Sequence, residues 1–336
     1  MESVFDKIRE LREVTSYSKH DQIVVGIINA IDQKIVTPND LLPSVNQMIQ
    51  ELNFSRETIR KGYGDLVDRG VVESKNRIGY YVTNAQTSQF MKVALLMYNL
   101  DTFEELFYRN FRQELGKKVQ LDVFFHHGSI DFLESTLFQI KGKYGMYVVA
   151  PIPHRKTKEI LETIPRANLM IFDRFEALDG EVNYIAQEFE KSTYSVLETL
   201  ADKIREFDEI VFYHSPKSLD PKEIVSSFKR FLADYSIQGR IVSEFAPGSV
   251  EKGKAYFTLD NYTMWAILKE CKSKKFTMGL DVGLLSVNDE PAKEFVDITT
   301  YSTDFALMGK LAGQAIMQKQ KIQVILPNVL IRRKTL

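Results

Sequence analysis

The sequence predicts an α/β protein built in two parts, and three observations carry that reading. The first 84 residues or so hold short amphipathic stretches that end in a hairpin pattern. The rest alternates short apolar runs with amphipathic ones, the pattern of a parallel sheet buried on both faces with helices between its strands. At 336 residues, with 44% hydrophobic and 26% charged positions, the chain has the length for about two domains and a large core. Global disorder and collagen-like or low-complexity character are excluded. The single cysteine, Cys271, cannot form an internal disulfide and suits a reducing compartment. No apolar run approaches a membrane span of roughly 18 residues, and the acid-containing N-terminus lacks the apolar core of a secretory signal. A cytoplasmic protein without membrane contact is expected.

In the first part, Val4, Phe5, Ile8 and Leu11, then Ile23, Val24, Ile27, Ile28 and Ile31, recur at helical spacing. Ser44 and Ser55 stand where N-caps belong, before VNQMIQEL and RETIRKGYGDLVDRG. Gly70 closes the last helix, and VVES and GYYV read as paired strands. Helices followed by a two-stranded wing make the winged-helix plan, in which the third helix of the motif enters the DNA major groove. Arg56 in its first turn is the side chain suited to bidentate contact with guanine. Arg60 and Lys61 lie one turn on, placed for phosphates, while Lys75, Arg77 and Gly79 mark the wing. Charge alone is a weak argument. Residues 1–84 hold 11 Lys or Arg against 12 Asp or Glu, and a solvated helix face explains the local surplus at residues 56–77, six basic against four acidic, equally well.

The stretch HDQIVVGIINAID, then LLPSVNQMIQELNFSRETIRKGYGDLVDRGVVES and NRIGYYV, resembles the winged helix of the GntR family of bacterial regulators. The resemblance covers about 65 residues in register and implies operator contacts by Ser44, Asn46, Ser55, Arg56, Thr58, Arg60, Lys61, Lys75, Arg77 and Gly79. Asn46 stands where the family usually has Arg. Gly62 and Gly64 interrupt the third helix at about 1 kcal/mol each relative to Ala, so that helix is expected to order only partly without DNA.

The link TNAQTSQ is polar and unpatterned, and the expected division is residues 1–84, a linker at 85–91, and 92–336. In the second part the strands read VALLMY, VQLDVFF, GMYVVAP, NLMIFD, EIVFYH, GRIVSE, KAYFTL and GLLSV. KAYFTLDNYTMWAILKECK, GLLSVNDEPAKEFVDITTYS, FALMGKLAGQAI and PNVLIRRKTL resemble the LacI-type, periplasmic-binding-protein-like (type I) two-lobed sugar sensor. A GntR reader on such a sensor is the architecture of the arabinose-repressor kind, with closest likeness to a fucose-responsive regulator.

Ligands of open α/β sheets lie beyond the carboxyl ends of the strands, and a sugar needs carboxylate acceptors, amide or guanidinium donors and an aromatic face. Strand ends and family positions together nominate Asn99, Asp101, Phe103, His126, Asp173, Arg174, Asp260, Trp265 and Asn288. Each has a plainer rival: the aspartates as helix caps, Trp265 as core with Tyr262 and Leu268. The resemblance implies a monosaccharide between the lobes, L-fucose first and L-arabinose second, palindromic operator DNA and a homodimer. Adjacent His126 and His127 would face opposite sides of a strand, and no G-x-S-x-G, G-x-G-x-x-G or P-loop occurs. No metal, cofactor or catalytic residue is therefore expected. The alternative is an α/β carbohydrate-active enzyme carrying a DNA-binding domain.

Overall fold

The computed structural model describes residues 2–12, 17–68, 70–75, 78–83, 92–117, 119–141 and 144–336. Arg77 and the expected linker at 85–91 lie outside the described residues. The expected DNA reader runs α1 (Val4–Glu10), α2 (Lys19–Asp32), α3 (Val45–Leu52), α4 (Arg56–Asp68), β1 (Val72–Lys75) and β2 (Gly79–Val82). Serine side chains at positions 3, 18 and 44 cap the first three helices by accepting backbone N–H groups. Ile8, Ile23, Ile27, Met48, Ile59, Tyr63 and Leu66 are fully buried and form one core shared by the helices.

The chain continues through β3 (Lys92–Met97), α5 (Thr102–Leu115), β4 (Gln120–Phe125), α6 (Ile130–Ile140), β5 (Met146–Val149), α7 (Thr157–Glu162), β6 (Leu169–Asp173) and β7 (Asn183–Glu188). Next come α8 (Glu190–Thr199), α9 (Ala201–Ile204), β8 (Glu209–Tyr213), α10 (Lys222–Tyr235), β9 (Gly239–Val242), β10 (Lys254–Thr258) and α11 (Asn261–Lys274). The last elements are β11 (Val282–Val287), α12 (Pro291–Phe295), β12 (Thr299–Ser302), α13 (Phe305–Gln318), β13 (Gln323–Pro327) and β14 (Val329–Ile331).

Two compact units result. One comprises Met1–Asn99, Tyr108–Ile185 and Gly309–Gln323, so the reader and strands β3 to β6 belong to one unit; the other comprises Leu100–Phe107, Ala186–Met308 and Val324–Leu336. The first sheet has the strand order β13-β7-β6-β5-β3-β4, the second β14-β12-β11-β10-β8-β9. The pairs β3·β4, β3·β5, β5·β6, β8·β9, β8·β10, β10·β11 and β11·β12 are parallel, whereas β14 is antiparallel to β12. In both sheets the winding reverses beside the first strand, between β3 and β5 and between β8 and β10. Such topological switch points are where open α/β sheets bind ligands.

The second sheet is buried on both faces because its side chains alternate. Phe212, Ala255 and Phe257 enter one core, and Val211, Tyr256 and Leu284 the other. Among the described residues no helix is long and apolar enough to cross a membrane.

Candidate functional site

The surface expected to read DNA starts at the first turn of α4. Ser55 Oγ accepts from Thr58 N at 3.1 Å and lies 2.8 Å from Thr58 Oγ1, so these two hydroxyls define the helix start. Arg56 is exposed, and its Nη2 donates to Asn46 Oδ1 at 2.9 Å. The residue that departs from the family pattern thus holds the guanidinium that was expected to read bases. Arg60 is exposed one turn on, and Lys61 pairs with Glu57 at 2.9 Å, which holds the Glu57 carboxyl below its ordinary pKa. Ser44 caps α3 in a reciprocal box with Gln47, and Asn46 is exposed in that helix's first turn.

The wing is fixed from beneath. Tyr80 stacks on Tyr63 of α4 with centroids 4.1 Å apart and rings 4° from parallel, and Tyr63 donates its hydroxyl to the Pro43 carbonyl. Lys75 is exposed over the Tyr81 ring at 5.1 Å. Gly79 has φ +134°, a conformation that side chains rarely adopt.

α4 runs unbroken from Arg56 to Asp68 through both glycines. A Cβ at Gly62 would meet Ile23 Cγ2 at 2.9 Å and Ile23 Cβ at 3.1 Å, so the glycine permits close packing of α4 on α2. Gly64 has no such neighbour within 4 Å.

In the first unit, Tyr98 at the end of β3 organises the nominated residues. Its ring meets the His126 ring edge-on at 4.6 Å, the Arg174 guanidinium lies 5.9 Å over it, and its hydroxyl donates to Pro151 O at 3.2 Å. Asp173 takes φ +70° at the end of β6 and precedes Arg174 directly. Asn99 is half-buried at the β3 end. His126 corrects the expectation placed on it. It is 2% exposed, its Nε2 lies 3.0 Å from Ala150 O, and its Nδ1 accepts from Gly128 N at 3.2 Å. No ring nitrogen is left for a sugar, and burial pushes the imidazole pKa down to about 4.

In the second unit, Asp101 precedes α5, and its N–H donates to Glu104 Oε2 at 3.0 Å. Phe103 packs against Phe305 with centroids 5.0 Å apart. Asp260 is exposed and caps α11 through one oxygen, Oδ1 accepting from Thr263 N at 2.7 Å; the cap leaves Oδ2 uncommitted. The core reading of Trp265 fails. Thr263, Met264, Ile267 and Cys271 form the buried face of α11, while Tyr262 and Trp265 are 82% and 38% exposed.

Asn288 has φ +58° at the end of β11. Its conformation is held by Lys293, fully buried on α12, whose ammonium donates to the carbonyls of Val287 at 2.5 Å and Asn288 at 2.8 Å. Burial lowers the Lys293 pKa to about 8, against the opposing pull of Glu290, Asp289 and Asp260. Asp289 is taken by a bidentate pair with Arg333 at 2.6 and 2.9 Å and by Thr300 at 2.7 Å; burial opposes its ionisation, but these donors hold its pKa below the ordinary value.

Two residues outside the nominated set stand out. His214 Nε2 and Thr258 Oγ1 are buried and have no hydrogen-bond partner. His214 follows Tyr213, which pairs with Thr258 across β8 and β10, so both orphaned atoms sit at the second sheet's switch point. A buried polar atom without a partner costs about 1–3 kcal/mol, and a ligand supplying hydroxyls removes that cost. Strand-end position flags His214 in the sequence, but Thr258 carries no signal before the strands are paired. Among the described residues no group of three or more His, Cys, Asp or Glu side chains is placed to hold a metal ion.

Residues 19–82 match the family model described as bacterial regulatory proteins, gntR family. Solved structures share the fold of the remainder. A periplasmic binding protein/LacI transcriptional regulator from Alkaliphilus metalliredigens QYMF, complexed with D-xylulofuranose, matches with a TM-score of 0.59 at 11% identity, over 73% of this chain and 98% of that one. The trehalose repressor from Escherichia coli gives 0.60 at 16%, over 72% and 100%. A LacI family transcriptional regulator from Silicibacter pomeroyi gives 0.61 at 15%, over 73% and 98%. The chain joins a gntR-family helix-turn-helix domain to a parallel α/β fold of the LacI and periplasmic-binding-protein kind.

Proposed function

We propose that this protein is a sugar-responsive transcription regulator. It binds palindromic operator DNA as a homodimer through α4 and the wing, and a monosaccharide held by its strand-end polar residues alters that binding. The observation that carries the sensor is the pair of orphaned polar atoms, His214 Nε2 and Thr258 Oγ1, at the switch point of the second sheet. Beside them, Asp260 offers a carboxylate oxygen free of the helix cap and Trp265 an exposed aromatic face. In the first unit the Tyr98, Asp173 and Arg174 group supplies a second set of polar and aromatic groups at strand ends. L-fucose is the first candidate and L-arabinose the second, both from the likeness of the sequence to regulators of that kind.

For the homodimer, α6 exposes Phe132 at 51% and Phe138 at 80%, apolar surface that a partner would cover. A twofold protein suits two half-sites about one helical turn apart.

A monosaccharide panel read by calorimetry, followed by gel shifts of operator DNA with and without the bound sugar, tests the reading. One sugar that binds, changes operator affinity and is recovered unchanged is the expected result. Turnover of the sugar would instead establish the enzyme alternative.

A further inference from the structure

The amino ends of the first sheet, opposite the strand ends described above, frame a cavity of about 700 Å³. Lys92 opens β3 and Met146 opens β5 there, Arg166 and Met170 flank the start of β6, and Ile316 comes from α13. The remaining wall is the reader itself: α2 contributes Val24 and Ile28 to the same cavity. The reader is tied to the end of α13 at its rim by an ion pair between Asp32 of α2 and Lys319. The volume lies within the roughly 300–1,000 Å³ typical of small-molecule sites.

The charges lining the cavity are unequally satisfied. Its carboxylates are already engaged: Asp32 by Lys319, Glu181 by Lys321, and Asp21 by His20 at 3.2 Å. Of its four cations, Lys319 and Lys321 are used in those pairs, while Arg166 and Lys92 keep donors to spare. Arg166 donates Nε to Asp179 O at 2.9 Å and Nη2 to Glu162 at 3.2 Å, but its Nη1 is buried with no partner. Lys92 has no side-chain partner among the described residues. What the cavity lacks is therefore an anion, set beside an apolar wall of Val24, Ile28, Met146, Met170 and Ile316.

We propose that this cavity is a second small-molecule site, separate from the strand-end groups, for an amphipathic anion. The acid head, a carboxylate or a phosphate, sits against Lys92 and Arg166, and the apolar body lies between α2 and the sheet. Because part of the wall belongs to the reader, occupancy couples to DNA binding, and any effect must be reciprocal.

Titration calorimetry on the full chain tests the site with four probes: octanoate, octyl phosphate, inorganic phosphate and 1-octanol. Octanoate or octyl phosphate is expected to bind, and the tighter of the two identifies the head group. Lys92→Met should weaken that binding by about tenfold or more, the effect of one charged hydrogen bond. Ile28→Trp should abolish it by filling the space, and Ala315→Phe serves the same purpose if that variant fails to fold. The proposal is overturned if neither amphiphilic anion binds, if 1-octanol or inorganic phosphate binds as tightly as they do, or if the variants bind unchanged. No sugar or operator enters these titrations, so their failure leaves the regulator reading intact.

Discussion

In the proposed reading, Arg56 is held for base contact by its neighbour Asn46. An exposed guanidinium on a helix start samples many rotamers, and ordering it on DNA costs conformational entropy. The 2.9 Å bond to Asn46 Oδ1 removes part of that freedom beforehand. Arg56→Ala is expected to lose about 1–3 kcal/mol of operator affinity and to relax base preference at one position. Asn46→Ala should lose less affinity while relaxing preference at the same position, because it frees Arg56 without removing it. Gel shifts on an operator and its single-base variants check both; full affinity in Arg56→Ala would sink the recognition-helix assignment. Thr258 offers a test with opposite signs in two assays. Its hydroxyl is buried and unpartnered, so Thr258→Val should raise the stability of the sugar-free protein by about 1 kcal/mol, since an unsatisfied buried group costs that order. The same substitution should weaken sugar binding. A variant that is stabilised yet binds sugar normally would show that the hydroxyl faces no ligand. His126 contributes a pH dependence. Its folded pKa of about 4 lies below the ordinary 6.5, so between those values the unfolded chain binds more protons and stability falls as pH drops. His126→Asn should flatten that fall in denaturant titrations run between pH 6.5 and 4.

At the scale of the element, glycine in a helix has two meanings, and α4 contains both. Gly62 lies against Ile23, and Gly64 faces open space. Gly64→Ala should therefore stabilise the reader by about 1 kcal/mol through helix propensity. Gly62→Ala gains the same propensity but forces Ile23 aside, and overpacking of about 1–3 kcal/mol should leave it destabilised. Urea unfolding of the two variants separates them; equal stabilisation of both would mean that α2 and α4 do not pack this closely. Sequence alone assigns both glycines the same cost, because propensity is local and the Ile23 contact is not.

The same limit decides which strands were legible. VALLMY, EIVFYH and GLLSV are buried on both faces and read as unbroken apolar runs. NYIAQE in β7 and QVILP in β13 carry polar and half-exposed positions, and neither stands out as a run. The reader's helices were legible because serine caps and three-to-four spacing are local signals. The candidate strand-end site is legible only in part. Asp260 and Asn288 close apolar runs, but the support from Lys293, which follows Asn288 by five residues, depends on a buried ammonium reaching two carbonyls. His126 is buried and Trp265 exposed, and the sequence shows neither, because position along the chain says which element holds a side chain, not which way it faces.

At the scale of the molecule, regulation requires that sugar and operator share one free-energy cycle. If the sugar changes operator affinity by some factor, the operator changes sugar affinity by the same factor. In the proposed reading, Asp260 is the residue at which this cycle is cut without touching DNA, since it lies in the second unit while the reader lies in the first. Asp260→Asn keeps the oxygen that accepts from Thr263 N and so preserves the α11 cap. It removes the carboxylate's charge and one strong acceptor. Losing one or two charge-assisted hydrogen bonds should weaken sugar binding by roughly 2–4 kcal/mol, about 30- to 1,000-fold in Kd. Operator affinity without sugar should stay at the wild-type value, and the sugar concentration that shifts it should rise by the same factor as the Kd. Calorimetry for the sugar and gel shifts across a sugar titration measure the two factors independently. If Asp260→Asn binds sugar normally, Asp260 is a helix cap and nothing more, and recognition falls to Asp173, Arg174 and Asn288. If sugar binding weakens while the effective concentration on the operator does not move, the sugar acts on DNA binding from another site.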